Sequence, residues 1–114
     1  MPKRILSVSY DVSLLATRRM LLEERGYEVT SALEFTQAVA HCRNAKFDLL
    51  ILGHTLPNTD KIELMRRFRA SCPAPILSLE RPGQDGVSSD FHASPDDPEK
   101  FLEVVNDILA GKKQ

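Results

Sequence analysis

The stretch Phe47-Asp48-Leu49-Leu50-Ile51-Leu52-Gly53-His54 constrains the fold of this chain more than any other. Its aliphatic run stops at a glycine, and Thr55-Leu56-Pro57-Asn58 then turns the chain. A short apolar run bounded by turn signals reads as a strand buried on both faces. Such strands belong to parallel sheets covered by helices on each side. Function then gathers where the carboxyl ends of the strands open into loops. Here that end is Gly53, which offers no acid, no nucleophile and no ligand.

The flanking sequence supplies the rest of such a sheet. Ile5-Leu6-Ser7-Val8-Ser9 reads as a first strand, and Asp11 as the cap of a helix over 12–25 with Leu14, Thr17 and Leu21 on one face and Leu15 and Leu22 beside them. Gly26 closes that helix, and 27–31 reads as an edge strand. Phe35, Ala38, Val39 and Cys42 form the stripe of a second helix over 34–43. After the central strand, Asn58 or Thr59 caps a third helix reaching about residue 70, with Ile62, Leu64, Met65 and Phe68 inward. Cys72-Pro73-Ala74-Pro75 forbids its continuation. Residues 76–79 form a fourth strand and 90–93 a short fifth. Asp97 caps the last helix, with Pro98 at its first position and Phe101, Val104, Val105 and Ile108 buried. Strand and helix alternate with short links, which implies right-handed crossovers and a doubly wound α/β sheet in the order 2-1-3-4-5.

The length of 114 residues fits a single domain, 1–114. A net charge of −1 speaks against nucleic acid or an anionic membrane as partner. Without a signal peptide or an apolar run of about 18 residues, a cytoplasmic location is expected. Cys42 and Cys72 read as reduced, partly buried thiols.

With these elements in order, the residues resemble a two-component response-regulator receiver domain. The resemblance rests on Ile5-Leu6-Ser7-Val8, on Leu21-Leu22-Glu23-Glu24-Arg25-Gly26-Tyr27-Glu28-Val29, and on Phe47 to Leu52. Leu56-Pro57 with Asp60, Pro75-Ile76-Leu77, and Pro95 followed by Asp97-Pro98-Glu99 extend it over nearly the whole chain. It implies a flavodoxin-like fold and a role in signal transduction. It also implies a magnesium-binding acidic pair where Ser9 and Tyr10 stand, an acceptor aspartate at Gly53, a switch threonine or serine at Glu80, and a lysine at Ser94. All of these positions depart from the family's pattern. Magnesium needs oxygen ligands, usually carboxylates, and an acyl phosphate needs a carboxylate nucleophile. The expectation is a degenerate pseudo-receiver with no catalytic residue, no metal and no cofactor. The alternative that Asp11 replaces the lost acid competes with its plainer role as a helix cap.

The second departure lies between Glu80 and Ser94, where receivers place a fourth helix. The segment is shorter by roughly two helical turns, so residues 81–89 are expected to cross as a helix-free loop, the helix between strands four and five being missing or reduced. A thin loop would leave Ile76, Leu77, Leu79 and Phe91 partly open. An interaction face along this loop and the last helix, at Val87, Phe91, His92 and Phe101, is expected to meet a signalling partner or a second copy of the chain.

His54, His92 and Glu80 could make a crude metal site, but no short ligand spacing supports it. Ser9, Glu80 and Ser94 could line a small-ligand pocket, or merely satisfy loop backbone. The basic cluster Arg66, Arg67 and Arg69 reads as a solvated helix face. The sequence therefore favours a non-enzymatic, protein-binding receiver-like domain over a phosphorelay receiver using a displaced carboxylate or a ligand-binding module.

Overall fold

The computed structural model, which describes residues 2–44 and 46–111, runs β1 (Arg4–Val8), α1 (Val12–Glu24), β2 (Glu28–Ala32), α2 (Phe35–Asn44), β3 (Leu49–Leu52), α3 (Asn58–Ser71), β4 (Ile76–Leu79), β5 (Phe91–Ala93), α4 (Pro98–Leu109). The strands form one five-stranded sheet in the order β2-β1-β3-β4-β5, every neighbouring pair parallel. Val8 of β1 faces both Ala32 and Leu52, and Leu52 faces Ser78, so the central strands end level with one another.

The side chains of β3 alternate between two cores. Leu50 and Leu52 join Leu6, Val8, Leu64 and Phe68 beneath α2 and α3. Leu49 and Ile51 join Ile5, Leu22, Phe101 and Val105 beneath α1 and α4. A two-residue period with both faces covered is what an unbroken aliphatic run becomes in a central parallel strand. The cysteines lie in the first core as free thiols. Burial pushes the Cys42 thiol up to about 11, and Cys72 Sγ donates to the Phe47 carbonyl.

Local chemistry explains the helix ends. Asp11 Oδ1 accepts from the amides of Ser13 and Leu14 at 2.9 and 3.0 Å, and Asp97 Oδ1 from the amide of Lys100 at 3.0 Å. Gly26, at φ 88°, takes the left-handed turn that ends α1. α3 differs from the expectation: Pro57 is its cap residue, with no side-chain bond to the helix, because Asn58 turns its amide to the Asp85 carbonyl instead.

No helix lies between β4 and β5. The expected open apolar face is nevertheless absent, since Ile76, Leu77 and Leu79 are fully buried. Val87, the one apolar residue of the crossover loop, enters the first core and is only 7% exposed. A single side chain thus plugs the sheet where a helix would have covered it. Val87 and Phe101, at 4% exposure, therefore offer no surface to a partner. Of the expected interaction face, Phe91 is half-buried and His92 alone is exposed.

Two helix stripes are rotated from their expected setting. In α1 the buried residues are Leu15, Arg18 and Leu22. In α3 Lys61 lies inward at 2% exposure, whereas Ile62 is 55% exposed.

Candidate functional site at the carboxyl end of the sheet

The loops after β1 and β3 are tied by Thr55. Its Oγ1 accepts from the Tyr10 amide at 2.9 Å and lies 3.2 Å from Ser9 Oγ. The Tyr10 hydroxyl donates to Asp60 Oδ2 at 2.8 Å, and burial together with that carboxylate raises its pKa well above the usual tyrosine range. Asp11 has one carboxylate oxygen committed to the α1 cap.

Gly53 sits beside this network in a tight space. A Cβ there would lie 3.0 Å from Arg18 Nη1, 3.0 Å from the Val8 carbonyl oxygen and 3.3 Å from Ser9 Cβ. The constraint is spatial, because Gly53 has no positive φ. Gly53→Ala is expected to destabilise the fold by about 1–3 kcal/mol through overpacking against the Val8 backbone. Urea unfolding checks this, and an alanine variant as stable as the parent would contradict the packing account.

Arg18 crosses from α1 to this point with 5% exposure. Its Nη1 and Nη2 are buried and have no hydrogen-bond partner among the described residues. Burial lowers its pKa, an effect partly opposed by Asp11. His54 Nδ1 is likewise buried and unbonded. Burial first, then Arg81 and Arg18, lower the His54 pKa below the ordinary histidine value of 6.5 and favour the neutral ring.

A second network is built on β4. Lys61 Nζ donates to Ser78 Oγ and to the Leu79 carbonyl, both at 2.9 Å. Ser78 Oγ donates to Glu80 Oε2 at 3.1 Å, as does the Val87 amide at 3.3 Å. Glu80 Oε1 meets His92 Nδ1 at 2.9 Å. A Cβ on Gly86 would stand 3.2 Å from Glu80 Oε2, so that glycine lets the crossover loop close over the carboxylate. Ser89 Oγ lies 3.4 Å from His92 Nε2, which mimics a serine–histidine–acid relay. Its proton goes instead to the Phe91 carbonyl at 2.9 Å, so the arrangement is a loop tie.

The positions singled out in the sequence thus fall into separate groups. Ser9, Tyr10 and Gly53 cluster with Thr55 and Arg18. Glu80 belongs to the β4 network. Ser94 Oγ accepts from the Asp96 amide in the turn before α4. His92 meets Glu80, but no cluster of three histidine, cysteine or acidic side chains suited to a metal occurs among the described residues. Arg18 and Lys61 are the residues that the sequence reading missed. Each stands on an otherwise apolar stripe, at 15/18/22 and 61/64/65/68, and that was the available signal.

The chain matches no protein-family model. It is 32% identical over 95 residues to the transcriptional regulatory protein ResD of Bacillus subtilis, covering 82% of this chain and 40% of ResD. The solved response-regulator receiver domain protein (CheY-like) of Methanospirillum hungatei superposes with a TM-score of 0.84 at 24% identity, over 97% of this chain and 96% of that one. The chain belongs to the response-regulator receiver (CheY-like) domains. The receiver domain of the Pseudomonas aeruginosa sensor histidine kinase PA1611, solved with magnesium in its active-site cleft, aligns over 96% of this chain and 99% of its own with a TM-score of 0.82 at 19% identity. This receiver domain spans less than half the length of the curated relatives it matches. Among its described residues, no helix is long and apolar enough to cross a membrane.

Proposed function

We propose that this receiver domain has lost aspartyl phosphorylation and acts in the bacterial cytoplasm by binding a signalling partner. One observation carries the reading. At Gly53, where the resemblance implies an acceptor carboxylate, the space beside the backbone is taken by the Arg18 guanidinium. A buried cation there opposes a divalent metal, which seeks carboxylates. Ser9 and Tyr10 bring hydroxyls to the loop after β1 and bind them to Thr55 and Asp60. Ser94 brings no cation to the turn before α4.

The partner reading is supported by the α3 and crossover-loop face, where a groove of about 600 Å³ is bounded by Asn58, Ile62, Arg66, Arg69, Gly86 and Ser88. A partner protein with an apolar side chain for Ile62 and carboxylates for the arginines fits it. Sedimentation of the parent and Ile62→Lys reads whether that partner is a second copy.

The main test is amide NMR with magnesium and then beryllofluoride, a phosphoryl mimic. The expected result is no saturable shift at Asp11, Gly53 or Glu80. Saturable shifts at these residues would overturn the reading and favour a phosphorelay receiver with a displaced carboxylate.

A further inference from the structure

Three of the four crossovers in this parallel sheet carry a helix, and the fourth does not. α1, α2 and α3 follow β1, β2 and β3, whereas β4 reaches β5 with no helix between them. The crossover loop passes on the α2 and α3 side, because Val87 enters the core beneath those helices. Around Val87 the loop is exposed, at residues 81–86 and at Ser88. A helix with its side chains is about 10–12 Å across, and one chain of loop is far thinner. The surface therefore steps down beside α3, into the groove of about 600 Å³. The loop is tied to both ends of α3. Asn58 Nδ2 donates to the Asp85 carbonyl and Arg69 Nη2 to the Ser88 carbonyl, each at 3.0 Å. Asn58, Ile62, Arg66 and Arg69 form one ridge along the groove. From position 58 to position 69 that ridge is about 16 Å long, roughly three helical turns.

We infer that this groove takes an amphipathic α-helix of a partner protein, acidic along its flanks, lying beside α3 where the fourth crossover lacks a helix of its own. The dimensions support a helix. One turn encloses roughly 400–600 Å³, so a groove open on one side holds the inner half of two to three turns. Ile62, 55% exposed, is the apolar anchor. It meets apolar residues at i, i+3 and i+4 of the incoming helix, the spacing by which grooves read helices. The arginines set the charge. Glu63 bonds both Arg66 and Arg67, so that trio keeps one positive charge. Arg69 meets Asp90 only at 3.7 Å in an exposed pair, which leaves it free to draw a further carboxylate. A second copy docked by the same face would set these arginines against each other, and like charges oppose such a pair.

The inference rests on the partner-binding part of the proposed function, and it fails separately from the loss of phosphorylation. Magnesium and beryllofluoride test that loss, and peptides test the groove. The probe is a designed peptide of about 18 residues, long enough to populate a helix. It carries leucines at i, i+3, i+4 and i+7, glutamates beside them and alanines elsewhere. One control has lysines in place of the glutamates, and another has a central proline. The readouts are amide shifts and circular dichroism. The glutamate peptide is expected to saturate with a dissociation constant on the order of 100 µM. It should move the amides of Ile62, Arg66, Gly86 and Ser88, and helix content should rise on mixing. The lysine and proline controls should bind at least about tenfold more weakly. Ile62→Ser, at an exposed position where substitution leaves the fold intact, should weaken binding about tenfold. Arg66→Glu should cancel or reverse the preference for glutamate over lysine. No saturation by about 2 mM, equal binding of the proline control, or unchanged binding in Ile62→Ser would each overturn the inference. So would an Ile62-dependent dimer in sedimentation without peptide, which would make the occupant a second copy.

Discussion

Arg18→Met is expected to stabilise this receiver domain by about 1–3 kcal/mol, the range seen when buried charges give way to apolar side chains of similar volume. Met keeps the length of the arginine stem, so the packing between Leu15 and Leu22 persists. It removes a guanidinium whose terminal nitrogens meet no acceptor among the described residues. The distant attraction of Asp11 offsets only part of the burial penalty, since the Arg18 pKa remains lowered. In a chain of this size each kcal/mol corresponds to about 4 °C in the unfolding midpoint. Thermal and urea unfolding read the effect. A loss of stability on substitution would mean that Arg18 has a structural acceptor, and the account of an unfinished interaction would fail. A gain would show that the unpaired guanidinium is held at a cost to the fold.

The elements of the sheet were legible in the sequence because each used an unambiguous signal. The run at β3 is apolar at every position, and a strand buried on both faces requires that. Asp97-Pro98 places a cap and a favoured first helical residue next to each other. The site was legible as a set of missing carboxylates, but its replacement chemistry was not. Residue type alone sends apolar residues inward and charged ones outward. Arg18 and Lys61 break that rule because long aliphatic stems can cross a core and deliver a charged end elsewhere. Choosing the best apolar stripe therefore rotated α1 by one residue and turned Ile62 inward in place of Lys61. The lack of a helix in the crossover loop is legible in the sequence, but its effect on burial is not. Whether one valine seals a sheet depends on Gly86 closing the loop over Glu80, and such close approaches do not show in residue type.

Lys61→Ala should destabilise the domain by about 3 kcal/mol, combining a core cavity with a broken buried polar network. The stem of Lys61 fills space ahead of Leu64, Met65 and Phe68 on α3. Its amine is the donor for the Leu79 carbonyl and for Ser78 Oγ, and it draws favourably on Glu80. Lys61→Met should be milder, about 1 kcal/mol, because it restores the volume and leaves chiefly the Leu79 carbonyl unmet. The gap between these variants in urea unfolding separates packing from charge. If Lys61→Ala stays within about 1 kcal/mol of the parent, the buried network is not holding β4. Glu80→Gln, alone and combined with Lys61→Met, then measures the electrostatic share as a coupling. A favourable coupling is expected, because the Glu80 charge raises the Lys61 pKa against burial. That result would tie Lys61 to β4 and the crossover loop, away from Gly53. The family's lysine, absent at position 94, would then have no substitute in Lys61, and Arg18 would remain the cation that meets the centre of the site.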